Sequence, residues 1–96
     1  MFLVTKAFYL MNRDLVVFTG TVLQGDVGPG MLVDLLREHG GPGPVPIHSV
    51  EAVRFADSQE ALAITVPWEA ITPVPLFEPS ALEGKRLPIL SGLAPS

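Results

Sequence analysis

The chain has 96 residues, a net charge of −4 and no cysteine. That length allows a single domain, and 48% hydrophobic against 17% charged residues excludes a largely disordered chain. The acidic balance argues against a general nucleic-acid coat protein or a basic membrane-surface binder, and the missing thiols exclude disulfides, thiolate metal sites and cysteine nucleophiles. No targeting segment is visible, because Lys6 interrupts the apolar start and no cleavage-type residues follow. No run of about 18 apolar residues suggests a membrane span. A cytoplasmic location is the expectation, in keeping with the absence of cysteine.

The first expected strand covers residues 2–10. Phe2, Val4, Phe8 and Leu10 share one parity, and Lys6 breaks it. A lysine on the apolar parity predicts either a β-bulge or a long stem reaching out to solvent. Asn12, Arg13 and Asp14 form a polar turn. Residues 15–23, dense in β-branched and aromatic side chains, make the second strand. Gly20 lies inside it, as glycine does where a strand bends or another backbone comes close. Gly25 belongs to the turn region that follows, and Pro29-Gly30 matches the central positions of a type II turn, with Gly30 at positive φ.

Residues 31–39 are ambiguous. Leu32, Leu35, Leu36 and His39 lie at helical spacing with Gly40 as a stop, whereas Met31, Val33 and Leu35 alternate as in a short strand. Residues 37–44 are rich in glycine and proline. They are expected to hold neither helix nor ladder and to form an exposed hairpin tip. Residues 47–55 and 61–66 read as two more strands, joined by a polar connection over 57–60. Six of the ten prolines then fall in residues 67–96, so this arm is excluded from central strands. The division expected is a β-barrel body over 1–66 and a Pro-rich C-terminal arm over 67–96, packed on the body or on a neighbouring copy.

Chemistry-bearing patterns are scarce. Gly25 and Gly30 have the spacing of a phosphate loop, but Met31-Leu32 stands where Lys-Ser or Lys-Thr is needed. His39 and His48 are the only histidines and lack metal-ligand spacing. His48 and Ser49 are strand neighbours on opposite faces, so they cannot act as a base and nucleophile pair. The chain is therefore read as non-catalytic, with no cofactor and no metal. Candidate partner-binding residues are Arg13, His48, Arg54 and Trp68. Tryptophan is enriched at interface centres, although a lone tryptophan after a strand also serves as a core lid. Arg13 and Arg54 are the contacts expected if RNA binds at all. Such binding would be weak, since six basic residues face ten acidic ones.

Three segments carry a resemblance to a known family. Residues 4–10, Val-Thr-Lys-Ala-Phe-Tyr-Leu, look like the first strand of the second, β-barrel domain of translational GTPases of the elongation factor Tu type. Residues 19–33 are similar to the family's T-G-x-I-x-x-G-x-I-x-x-G-D-x-V block, and Val50-Glu51-Ala52-Val53 resembles its V-E-M-F strand. Asp14 stands where the family's turn has glycine, and the GTPase motifs are absent. The resemblance implies a small closed antiparallel β-barrel of six strands, with residues 31–35 a strand. It points to a binding or adaptor module whose partner is another protein or a second copy. A homo-oligomeric assembly protein and an RNA-contacting accessory module are the alternatives. Five strands precede Pro67, so residues 85–90 are expected to supply the sixth at an edge. The Pro73-Val74-Pro75 connection would let the arm reach a neighbouring copy.

Overall fold

The structure, a computed structural model, describes residues 1–54, 60–71 and 78–90. The chain is all-β, and every strand pair is antiparallel. The strands are β1 (Phe2–Leu10), β2 (Leu15–Val22), β3 (Leu32–Leu35), β4 (Gly43–Pro46), β5 (Ser49–Arg54), β6 (Glu60–Pro67), β7 (Arg86–Leu87) and β8 (Ile89–Leu90). One sheet has the order β5-β6-β2-β1-β7 and the other β4-β3-β8. Among the described residues there is no α-helix, only short 3-10 turns at Arg37–His39, Trp68–Ala70 and Pro79–Leu82.

The lysine in β1 marks a bulge. Val4 pairs with Gly20 and Lys6 with Thr19, so Thr5 is the extra residue. A bulge shifts the parity of everything beyond it. Phe2 and Val4 face the core, but past Thr5 it is Ala7 and Tyr9 that pack toward it, while Lys6, Phe8 and Leu10 turn to the outer face. The single apolar parity expected for β1 is thus corrected: Phe8 is 45% exposed. Gly20 sits opposite the bulge because the backbones approach there. A Cβ built on it would lie 1.8 Å from the Leu3 carbonyl oxygen.

The turns follow their residues. Asp14 closes the β1–β2 hairpin at φ 50°, a conformation aspartate tolerates better than most non-glycine residues. Met31 N–H donates to Gly28 O at 3.2 Å, with Gly30 at φ 84°, as a Pro-Gly turn requires.

Along the middle of the chain one ambiguity resolves and one expectation changes. Residues 32–35 form a strand rather than a helix: β3 ends at Leu35 and a 3-10 turn follows. The glycine-proline stretch does form a ladder, since β4 pairs with β3 over Gly43–Pro46. It is tolerated because β4 is an edge strand. Ile47 N–H donates to Met31 O at 2.8 Å, and strand alternation then turns the nitrogens of Pro44 and Pro46 away from β3, where no donor is needed.

Residues 85–90 do not form one sixth strand. Pro88 divides them, so that β7 pairs with Phe2 and Leu3 while β8 pairs with Leu32 and Val33. Pro88 O accepts from Asp34 N–H at 2.9 Å, which fixes the crossing between the sheets. Pairing among the described residues gives sheets of five and three strands, without a ladder that closes on itself.

The core lies between the two sheets. Phe2, Val4, Val16, Phe18, Ile64 and Val66 meet Val33, Leu35, Val45 and Ile47, and Ile71, Leu82 and Leu87 from beyond Pro67 complete it. Phe55, residues 57–59 of the polar connection, Pro73-Val74-Pro75 and Leu76-Phe77 lie outside the described residues. Among the described residues no helix is long and apolar enough to cross a membrane.

Candidate functional site

The second strand is buried on both faces. All six residues from Leu15 to Gly20 are buried, although only Val16, Phe18 and Gly20 share the parity that faces the core. The other parity looks onto the outer face of the five-stranded sheet. There the register aligns side chains in rows across four strands. Lys6, Thr19, Ala63 and Glu51 form one row, and Phe8, Val17, Thr65 and Ser49 the next.

The first row has small residues in the middle and long ones at both ends, and the second falls from Phe8 to the small Ser49, which makes a trough along β2 and β6. Its volume is about 400 Å³. Phe8 and Leu10 form the wall on β1, and Glu51 and Val53 the wall on β5. Ser49 Oγ and Thr65 Oγ1 are 2.6 Å apart, so the buried threonine hydroxyl is satisfied and Ser49 is occupied structurally. Lys6 and Arg13 stand on the β1 side and Glu51 on the opposite side. Among the described residues none of the three has an ion-pair partner.

A second depression, of about 480 Å³, adjoins the trough at Arg13. Arg13, Asp14, Leu15, His48, Pro67, Trp68 and Glu69 line it. Asp14 organises this corner. Its backbone oxygen accepts from Trp68 N–H at 2.9 Å, and its carboxylate accepts from Tyr9 OH at 3.1 Å. Tyr9 and Trp68 pack with ring centroids 4.5 Å apart and a tilt of 39°. Partial burial, the hydrogen bond to Asp14 and the charge of that carboxylate together push the Tyr9 phenol above its ordinary value of 10.0.

Three of the four residues singled out from the sequence therefore meet. Arg13 from the β1–β2 turn, His48 from the link between β4 and β5, and Trp68 from the turn after β6 line one hollow. Arg54, at the end of β5, lines neither depression. Trp68 is half-buried rather than a fully covered lid. Gly25 and Gly30 have positive φ and lie in turns, whereas Gly20 is a strand residue needed for close approach. The trough is not foreseen by the motifs in the sequence. Its one signal is the run Leu15-Val16-Val17-Phe18, apolar on both parities, as in strands covered on both faces.

Among the described residues no group of three or more histidines and carboxylates gathers to hold a metal. No protein-family model, curated protein or solved structure matches the chain.

Proposed function

We propose that this chain is a non-catalytic binding module of the cytoplasm that receives a protein partner at the hollow formed by Arg13, His48 and Trp68. The observation that carries this reading is the convergence of those three side chains, from distant points in sequence, on one partly apolar depression. Trp68 supplies a large anchor whose ring packs on Tyr9 and whose backbone N–H is held by the Asp14 carbonyl. A pre-oriented aromatic loses little freedom on binding, which is why such residues dominate interface energetics. Arg13 and His48 add donors at the rim, while Asp14 and Glu69 make the hollow unsuited to a phosphate backbone.

A barrel of the translation-protein type is part of the same proposal. Two passages support it: Ile47-His48 carries the chain from β4 into β5, and Pro88 from β7 into β8, so both crossings tie one sheet to the other.

A photo-reactive amino acid placed at position 48 in living cells of the native host tests the binding reading. It is expected to give one defined protein adduct, lost on Trp68→Ala, with none from the same group at position 28. No adduct, or sub-micromolar RNA binding by the purified protein at about 0.15 M salt with a steep salt slope, would overturn it.

A further inference from the structure

We infer that the outer trough of the five-stranded sheet is an interface between two copies of this chain, related by a two-fold axis running along the strands. The trough is distinct from the hollow at Trp68, and its walls are unlike. Phe8, 45% exposed, forms a ridge on β1. The floor beside it is made of Val17, Ala63 and Thr65, each at most 5% exposed and short enough to leave room above. A ridge beside a groove gives one face both halves of a contact with its own copy. Rotation about an axis parallel to the strands and midway between β2 and β6 exchanges the two ends of each row, so each Phe8 ridge crosses the other copy's floor to its low Ser49 end, the ordinary face-to-face packing of two sheets about 10 Å apart.

The charges obey the same symmetry. Lys6 and Glu51 end a single cross-strand row, three strand spacings or about 14 Å apart, and neither has an ion-pair partner among the described residues. Under that two-fold axis Lys6 of each copy moves over the floor toward Glu51 of the other, and the two pairs form together. A face that carried one sign on both walls would repel its own image; this one carries opposite signs. The contact spans only four strands, so it belongs with small, weak interfaces. A dimer with a dissociation constant of about 0.1 mM is expected.

Sedimentation velocity of the full chain from about 10 µM to 1 mM reads this directly. The wild type is expected to pass from monomer to dimer in that range. Phe8→Ser, at an exposed position, is expected to weaken the dimer at least tenfold while leaving the circular dichroism spectrum and melting curve unchanged. Lys6→Glu and Glu51→Lys should each weaken self-association at least tenfold, because each places like charges across the axis. Mixed in equal amounts, these two variants are expected to associate as well as the wild type, since both interfacial pairs become opposite again. A wild type that stays monomeric at 1 mM overturns the proposal. So does a dimer that survives Phe8→Ser and Lys6→Glu, because it must use another surface such as a sheet edge. A mixture that fails to associate, after each single variant has weakened, overturns it as well, because the two-fold pairing of Lys6 with Glu51 would be wrong.

Discussion

Replacing Gly20 with alanine adds one methyl group at the most crowded point of the sheet. The new Cβ would stand 1.8 Å from Leu3 O and 2.9 Å from Leu3 C, against an ordinary contact of about 3.4–4 Å. Relief requires the β1 backbone to retreat by about 1.6 Å, or β2 to do so. Leu3 has little freedom to move, since it pairs with Thr21 on one side and Arg86 on the other. Phe2, fully buried, lies only 3.2 Å from the same methyl. Overpacking of this kind costs about 1–3 kcal/mol, occasionally more. Against it stands a gain of about 0.4–1 kcal/mol, because alanine restricts the unfolded chain more than glycine does. A 1.8 Å approach to backbone puts the cost at the upper end of that range, about 3 kcal/mol, so the net expectation is a loss of about 2 kcal/mol, or a fall in melting temperature of about 8–16 °C for a domain of this size. Urea melts of Gly20→Ala and Gly28→Ala side by side provide the assay. A methyl group on Gly28 would meet no atom within 4 Å, and its φ is not positive, so Gly28→Ala should lose nothing. A net Gly20→Ala loss below about 0.5 kcal/mol, far short of what a severe overlap leaves after that gain, would refute the close approach at the bulge.

Gly30→Val forces a β-branched residue to φ 84° and should cost about 1–3 kcal/mol in the same melts; an unchanged midpoint would remove the turn assignment. Ultraviolet titration of Tyr9 should show ionisation above its ordinary value of 10.0, and Asp14→Asn should bring it down by removing the negative charge, while keeping a residue tolerant of positive φ. Because folding raises this pKa, its contribution to stability is full below the unfolded value and is lost as pH rises through the folded one. Asp14→Asn should therefore flatten the decline of the wild-type melting temperature above about pH 10, and identical wild-type and variant curves would remove the Tyr9–Asp14 bond. A chain ended after Trp68 loses Ile71, Leu82 and Leu87 from the core and uncovers the outer edge of β1; it should aggregate or fail to fold, and a soluble, cooperatively melting monomer would contradict the packing described for the arm.

The strands are legible because their sequences meet local rules. Residues 2–10 and 61–66 have β-branched and aromatic runs bounded by polar turns, and the observed strands lie within one or two residues of them. Gly20 and Gly30 can be assigned from backbone chemistry alone, since each has one physical reason to be glycine. What sequence cannot decide is pairing. Gly43–Pro46 reads as a breaker because proline lacks a donor, and only its position at an edge makes it a strand. In the same way, whether Arg86 to Leu90 forms one strand or two depends on which partners flank Pro88, and these, Phe2-Leu3 and Leu32-Val33, lie far upstream in the sequence. Convergence of Arg13, His48 and Trp68 is beyond local reasoning for the same cause: it is set by the register of β2 on β6 and by the bend at Ile47-His48.

The bulge at Thr5 links the fold to its surface. Without it, the alternation that places Phe2 and Val4 inward would carry Lys6, Phe8 and Leu10 inward too, and a lysine would be forced against Phe18 and Val16. One extra residue resolves that conflict by exchanging faces. Ala7 and Tyr9 then turn inward, where Tyr9 can support Trp68, while Phe8 and Leu10 build the wall of the trough. The exchange needs close backbone contact at the opposite residue, which is why that residue is Gly20. Deleting Thr5 should therefore leave both faces as they are, because Lys6 then follows Val4 directly and stays outward opposite Thr19 in a regular ladder. The Tyr9–Trp68 pair, the Phe8 ridge and self-association should all persist. A variant lacking Thr5 that lost its tryptophan fluorescence or its self-association would show that the bulge does more than exchange the two faces of β1.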